Sequence, residues 1–121
     1  MLLALYCDDQ STFNTIWDQA ESKMWQGEYY NWRVDKNGTV IGAGAASDAE
    51  EDIALSLIFA DALVKKGHWQ AHSSPKSATY SVRAQAIINS IWKNMIAGGR
   101  YLDPGSGWSF GQFVNLSLIH I

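Results

Sequence analysis

Between Ser11 and Trp25 the apolar side chains fall at Phe13, Ile16, Trp17, Ala20 and Met24, the spacing of one helical face, which predicts an amphipathic α-helix. Ser11 or Thr12 is placed to cap its start, and Gly27 to end it. The next stretch, EYYNWRVDKNGTVIG, alternates instead. Tyr30, Trp32 and Val34 share one side, Tyr29, Asn31 and Arg33 the other, and Asp35-Lys36-Asn37-Gly38 supplies turn residues. That pattern predicts a short β-hairpin. A helical period returns at Ser47, which with Glu50 has the S-x-x-E spacing of a capping box and leaves Asp48 as the first helical residue. Ile53, Ala54, Leu57, Ile58, Ala60 and Val64 then cover most of the helix circumference before Gly67 ends it, which predicts burial on more than one side. After HWQAHSSPKS, a run of turn formers, Ser77 opens a further helix. Its stripe is Tyr80, Ala84, Ile87, Ile88, Ile91, Trp92 and Met95, closed by Gly98-Gly99.

The two ends are less regular. MLLALYCDDQ reads as a helix entered at its middle, because nothing caps its first backbone N–H groups. RYLDPGSGWSFGQFVN is Gly-rich and aromatic and reads as a structured loop. The pattern as a whole is all-α with one short hairpin, its four helices arranged as consecutive pairs.

Composition narrows the function classes. With 121 residues, 47% hydrophobic and 17% charged, the chain has the makings of one packed core. A net charge of −3 leaves no basic footprint for nucleic acid. No apolar run reaches membrane-spanning length, and MLLALY lacks the basic flank and cleavage site of a signal peptide. Cys7 has no partner for a disulfide and reads as a small core residue. Six Trp and five Tyr exceed the needs of a small helical core. Most of them are expected inside, and the rest are suited to stacking on the apolar faces of pyranose rings.

Asp48, Glu50, Glu51 and Asp52 faintly suggest a calcium loop, but Ile53 and Phe59 stand where an EF-hand needs glycine and glutamate. His68 and His72 are four apart in a loop without a third ligand, and His120 lies near the end of the chain. No metal and no cofactor is therefore expected, with His68 and His72 in a solvated loop. Carboxylates in a first helical turn are stabilised by about 0.3–1 kcal/mol each by the helix dipole. That explains Glu50 and Glu51 without any function, and it explains Asp48 equally well.

A resemblance separates Asp48 from its neighbours. ASDAEEDIALSLIFADAL is similar to the signature of glycoside hydrolase family eight, matching it at Ala46, Ser47, Asp48, Ala49, Ile53, Ala54, Ser56, Leu57, Ile58 and Ala60. Glu50 stands where the family has Asp, and Val64 where it has Phe or Trp. MLLALYCDDQSTFNTIWDQAESKM resembles the stretch after the family's Glu-Gly-Met-Gly-Tyr-Gly segment. YYNWRVDKNGTVIGAGAASD resembles its hairpin, and GWSFGQFVN its loop before a Pro-Ser-Tyr. The likeness runs to about residue 115, whereas the tail LSLIHI, residues 116–121, has no family counterpart.

The resemblance implies a partial (α/α)6 barrel built of helix pairs, from a bacterial-type enzyme that cuts β-1,4-linked glucan, xylan, mixed-linkage glucan or chitosan with inversion. Inversion uses two carboxyl groups roughly 6.5–9.5 Å apart, an acid for the leaving oxygen and a base for the attacking water. By the match, both lie outside this chain, so the chain is expected to be an inactive internal fragment with a foreign or frame-shifted end. Asp48 would hold the sugar at the cleavage subsite. Trp32 and Trp108 would be stacking platforms, with Arg33 and Tyr30 as further contacts; loop packing remains an equal account of Trp108. A polysaccharide or oligosaccharide is the only implied partner, and the whole enzyme would be secreted or periplasmic. Two rivals stay open: a non-catalytic sugar-binding helical module, and a piece of another (α/α) barrel family in which Asp48 merely starts a helix.

Overall fold

A computed structural model gives the fold and describes residues 1–106. The described part is mostly helical, with α1 (Leu2–Tyr6), α2 (Gln10–Lys23), α3 (Ser47–Lys65) and α4 (Tyr80–Asn94). Two small antiparallel sheets accompany the helices: β1 (Arg33–Val34) pairs β2 (Val40–Gly42), and β3 (Ile96–Ala97) pairs β4 (Tyr101–Leu102). The first is the expected hairpin. The second corrects the reading of a single hairpin followed by a loop. Gly98 and Gly99, at φ 56° and 69°, do not close α4 but form the turn between β3 and β4, bridged by the Arg100 N–H to the Ala97 carbonyl at 3.0 Å. Such primed turns need positive φ at both central positions, which glycine adopts without strain.

The helix starts also differ from expectation. Asp9, not Ser11 or Thr12, caps α2: its carboxylate accepts the Thr12 N–H at 2.9 Å and the Thr12 hydroxyl at 2.6 Å. The Thr12 hydroxyl, then its N–H, hold the Asp9 carboxyl below the usual carboxylate range. Thr79, not Ser77, caps α4. The end of α3 follows the sequence closely. Gly67, at φ 74°, follows the cap Lys66, and the His68 N–H returns to the Leu63 carbonyl at 3.0 Å. Cys7, expected inside, is exposed, because α1 ends at Tyr6 and Cys7 sits on its cap.

The core lies where α2, α3 and α4 meet. Phe13 and Trp17 from α2, Ala54, Leu57 and Ala60 from α3, and Tyr80, Ala84 and Ile87 from α4 are buried together with Trp25 and Trp69. Phe13 takes Trp69 and Tyr80 edge-on, with ring centroids 5.2 and 5.7 Å apart, a geometry that aligns ring edge with ring face. Within the described residues α3 packs against both α4 and α1, and one stripe of it stays at the surface. Leu55, Ile58 and Phe59 are exposed there, and Trp92 breaks the α4 stripe at 67% exposure.

The loop 68–77 is not the solvated segment expected of it. Trp69 is buried, its indole N–H donating to Asp8 at 2.6 Å, and His72 lies 2.9 Å from Asp18 against the Trp17 ring. His68 is exposed, as anticipated. Beneath this loop sits a polar knot. Fully buried Glu21 accepts from Arg83 Nε at 2.7 Å and Nη2 at 2.8 Å, from the Ser74 hydroxyl at 2.9 Å and from the Tyr30 hydroxyl. The Arg83 guanidinium lies 3.8 Å over the Trp25 ring. Every lone pair the carboxylate points inward thereby meets a donor, the condition for a buried charge to be tolerated.

Candidate substrate-binding site

The start of α3 is fixed by its own side chain and by the stretch after β4. The Ser47 hydroxyl is buried and donates to the Asp103 carbonyl, while the Ser47 N–H donates to the Pro104 carbonyl at 3.1 Å. Ala45 and Ser106 exchange two further bonds, at 2.8 and 3.1 Å, around the Ala46–Gly105 bridge. Ser47 is thus inside the helix, with Ala46 at the cap and no side-chain capping bond. The expected capping box does not form, because the hydroxyl it requires is taken by a partner far along the chain. Asp48 projects into solvent from this clamped helix start, its Oδ1 accepting from the Ala49 N–H at 2.9 Å.

Glu50 is the second departure. The capping and dipole arguments account for it as a first-turn acid, and the structure buries it at 1% exposure. Its Oε1 accepts the Tyr30 backbone N–H at 2.7 Å, whereas Oε2 is buried without a hydrogen-bond partner among the described residues. Burial pushes the carboxyl up to about 7, opposed by the Tyr30 N–H, which favours the ionised form.

Around Tyr30 runs the arm that carries the other expected contacts. The Asn31 N–H donates to the Met24 carbonyl at 2.9 Å, the Gly44 N–H to the Asn31 side-chain oxygen at 3.1 Å, and the Trp32 N–H to the Gly44 carbonyl at 2.9 Å. Gly44 lies in the short stretch leading directly into α3, so arm and helix start are laced together. The Trp32 indole is 41% exposed and rests on Gly42, where an added Cβ would come within 2.4 Å of the ring. Arg33 is exposed, its guanidinium carbon 6.0 Å from the Trp32 ring centroid. An exposed indole edged by a guanidinium and followed by a solvent-facing carboxylate can stack a sugar ring and hydrogen-bond its hydroxyls.

Tyr30, expected among those contacts, is a core residue. It is 3% exposed and packs on Trp25 at 5.0 Å, while its hydroxyl donates to Glu21 and accepts from the Trp17 indole N–H at 3.3 Å. Desolvation, then the Glu21 bond, drives its phenol well above its ordinary value. Its ring offers no face to a ligand. Trp108 and the tail 116–121 lie outside the described residues. Among the described residues no group of three or more His, Cys, Asp or Glu is arranged to hold a metal, and no helix is long and apolar enough to cross a membrane.

Several known proteins are similar to this chain. An endoglucanase of Ruminiclostridium josui is 36% identical over 97% of the chain, and Endoglucanase A of Acetivibrio thermocellus is 34% identical over 97%. The reducing-end xylose-releasing exo-oligoxylanase of Paenibacillus barcinonensis is 27% identical over 74% of the chain. The chain spans about a quarter of the length of these curated relatives. A crystal structure of a reducing-end xylose-releasing exo-oligoxylanase superposes with a TM-score of 0.71 at 22% identity, covering 95% of this chain and 32% of that one, which shows a shared fold. The family model described as "Glycosyl hydrolases family 8" matches residues 1–113, and the chain belongs to that family.

Proposed function

We propose that the chain is part of an (α/α)6 barrel enzyme that hydrolyses β-1,4-linked glucan or xylan with inversion, and that it supplies one wall of the substrate cleft. The observation that carries this reading is the solvent-facing Asp48 on a helix start held from two directions, beside an exposed Trp32 laced to the same stretch. In the complete enzyme Asp48 grips a sugar hydroxyl at the cleavage subsite. Trp32 stacks the neighbouring ring, with Arg33 at its edge and Trp108 as a second platform. The general acid and general base come from parts of the enzyme outside this chain, so the chain alone turns over no substrate. A polymeric substrate too large to enter a cell places the complete enzyme outside the cytoplasm, secreted or periplasmic.

A grip that strengthens as the sugar ring distorts contributes several kcal/mol in the transition state. Asp48→Asn in the complete enzyme is therefore expected to lower kcat on mixed-linkage glucan or xylan by about 100-fold, with a smaller change in KM. The anomer released, followed by NMR, is expected to be inverted. Wild-type kcat in Asp48→Asn would refute the role of Asp48, and a retained anomer would refute the mechanism.

A further inference from the structure

Tyr30 is held at both ends by buried acids: Glu21 takes its hydroxyl and Glu50 takes its backbone N–H. Glu21 belongs to the closed knot with Arg83 and Ser74. Glu50 has one short bond to a residue twenty positions away and a second oxygen that meets no partner among the described residues. Such a half-paired carboxyl is a poor way to stabilise a core, because an apolar side chain of similar size would bury at lower cost. What the carboxyl does provide is a directed acceptor for the Tyr30 N–H, a donor on the chain segment that leads into Trp32. Other ties of this arm run to the end of α2 and to Gly44; the Glu50 bond runs from α3 itself, within the helical turn that bears Asp48.

We infer that Glu50 is a positioning residue for substrate binding: its carboxyl holds the Tyr30 amide and so fixes the Trp32 arm against the helix start that carries Asp48. The inference rests on the sugar-binding reading of Trp32 and Asp48. The charged and titratable groups around it are few. Glu21 from α2 and Arg83 from α4 meet the hydroxyl end of Tyr30, Asp48, Glu51 and Asp52 lie exposed on α3 itself, and Asp103 follows β4. Because the carboxyl is pushed up to about 7, its charge changes within the range in which the enzyme is assayed.

The test compares KM and kcat of the complete enzyme on a soluble oligosaccharide from about pH 5 to about pH 9. Glu50→Ala is expected to raise KM about tenfold at slightly acid pH with kcat within about threefold of wild type, as loss of a binding platform's position would do. Glu50→Gln keeps an acceptor for the Tyr30 N–H. The wild type is expected to show a small drift of KM near neutral pH as Glu50 ionises, and Glu50→Gln to stay within about twofold of wild type and lack that drift. A wild-type KM in Glu50→Ala, or a drift retained unchanged in Glu50→Gln, would overturn the inference. If Glu50→Ala does not fold, the pH profile of Glu50→Gln decides alone. Trp32→Ala separates the two levels. An unchanged KM there sinks the sugar-binding reading, whereas a raised KM beside a silent Glu50→Ala sinks only the positioning role.

Discussion

Glu21 and Glu50 are both buried acids that reach the same tyrosine, and they are handled in opposite ways. In the knot between α2, α4 and the 68–77 loop, Glu21 meets a bidentate guanidinium, a serine hydroxyl and a phenol. At the start of α3, Glu50 meets one backbone N–H, and its other oxygen has no partner among the described residues. Only the second lies beside the exposed residues of the site. Compensated charge is what a fold needs to stay in one arrangement; uncompensated charge costs stability, and such residues cluster where position or protonation matters.

The largest way to break the comparison is to strip Glu21 of its partner. Arg83→Met leaves a buried carboxylate facing two hydroxyls, and stability measured by denaturant unfolding is expected to fall by about 3–5 kcal/mol. Next comes the pH dependence of Glu50. Its folded-state pKa is raised from 4.5 to about 7, so the folded protein binds the extra proton between those values. The stability this lends is fully present below the unfolded pKa and is lost as pH rises through the folded one. Stability is therefore expected to drop by on the order of 2–3 kcal/mol from about pH 4.5 to about pH 8 on account of this group. Melts of Glu50→Gln are expected to lack that component of the slope. The smallest change sharpens the contrast. Tyr30→Phe removes the hydroxyl shared by Glu21 and the Trp17 indole but leaves the N–H that Glu50 accepts. It is expected to cost about 1–2 kcal/mol in the same melts without altering the Glu50 slope.

Much of this molecule was legible from its sequence, and the misreadings share a cause. Periodicity located α2, α3 and α4 because their core faces, such as Phe13 and Trp17 or Ala84 and Ile87, are set by local spacing. The hairpin at Asp35–Gly38 was legible because turn chemistry is local too: the Asp35 side chain accepts from the Asn37 and Thr39 N–H groups at 2.8 and 2.9 Å. The capping box was misread because both members found distant partners, Ser47 at Asp103 and Glu50 at Tyr30. Tertiary contacts overrode a correct local pattern. The second sheet escaped because strands of two residues have no period, and Gly98-Gly99 suits a helix end as well as a primed turn.

In the site, exposure sorted the expected residues. Asp48, Trp32 and Arg33 are at the surface, whereas Tyr30 is in the core because the alternation that paired it with Trp32 starts before the strand does. The knot does leave a trace in the sequence: Glu21 falls four residues after Trp17, on the buried face of α2, and a charge on an apolar face implies a buried partner.

Gly42 carries a last consequence. A methyl group there would meet the Trp32 ring at 2.4 Å, so the indole would have to rise by roughly 1 Å to regain an ordinary contact distance. The smallest residue of the hairpin thus sets the height of its largest exposed ring. Displacements of that size matter wherever a bound sugar must be aligned with reacting groups held elsewhere. If Trp32 stacks a sugar as proposed, the tolerance of that platform is written in a residue that has no side chain.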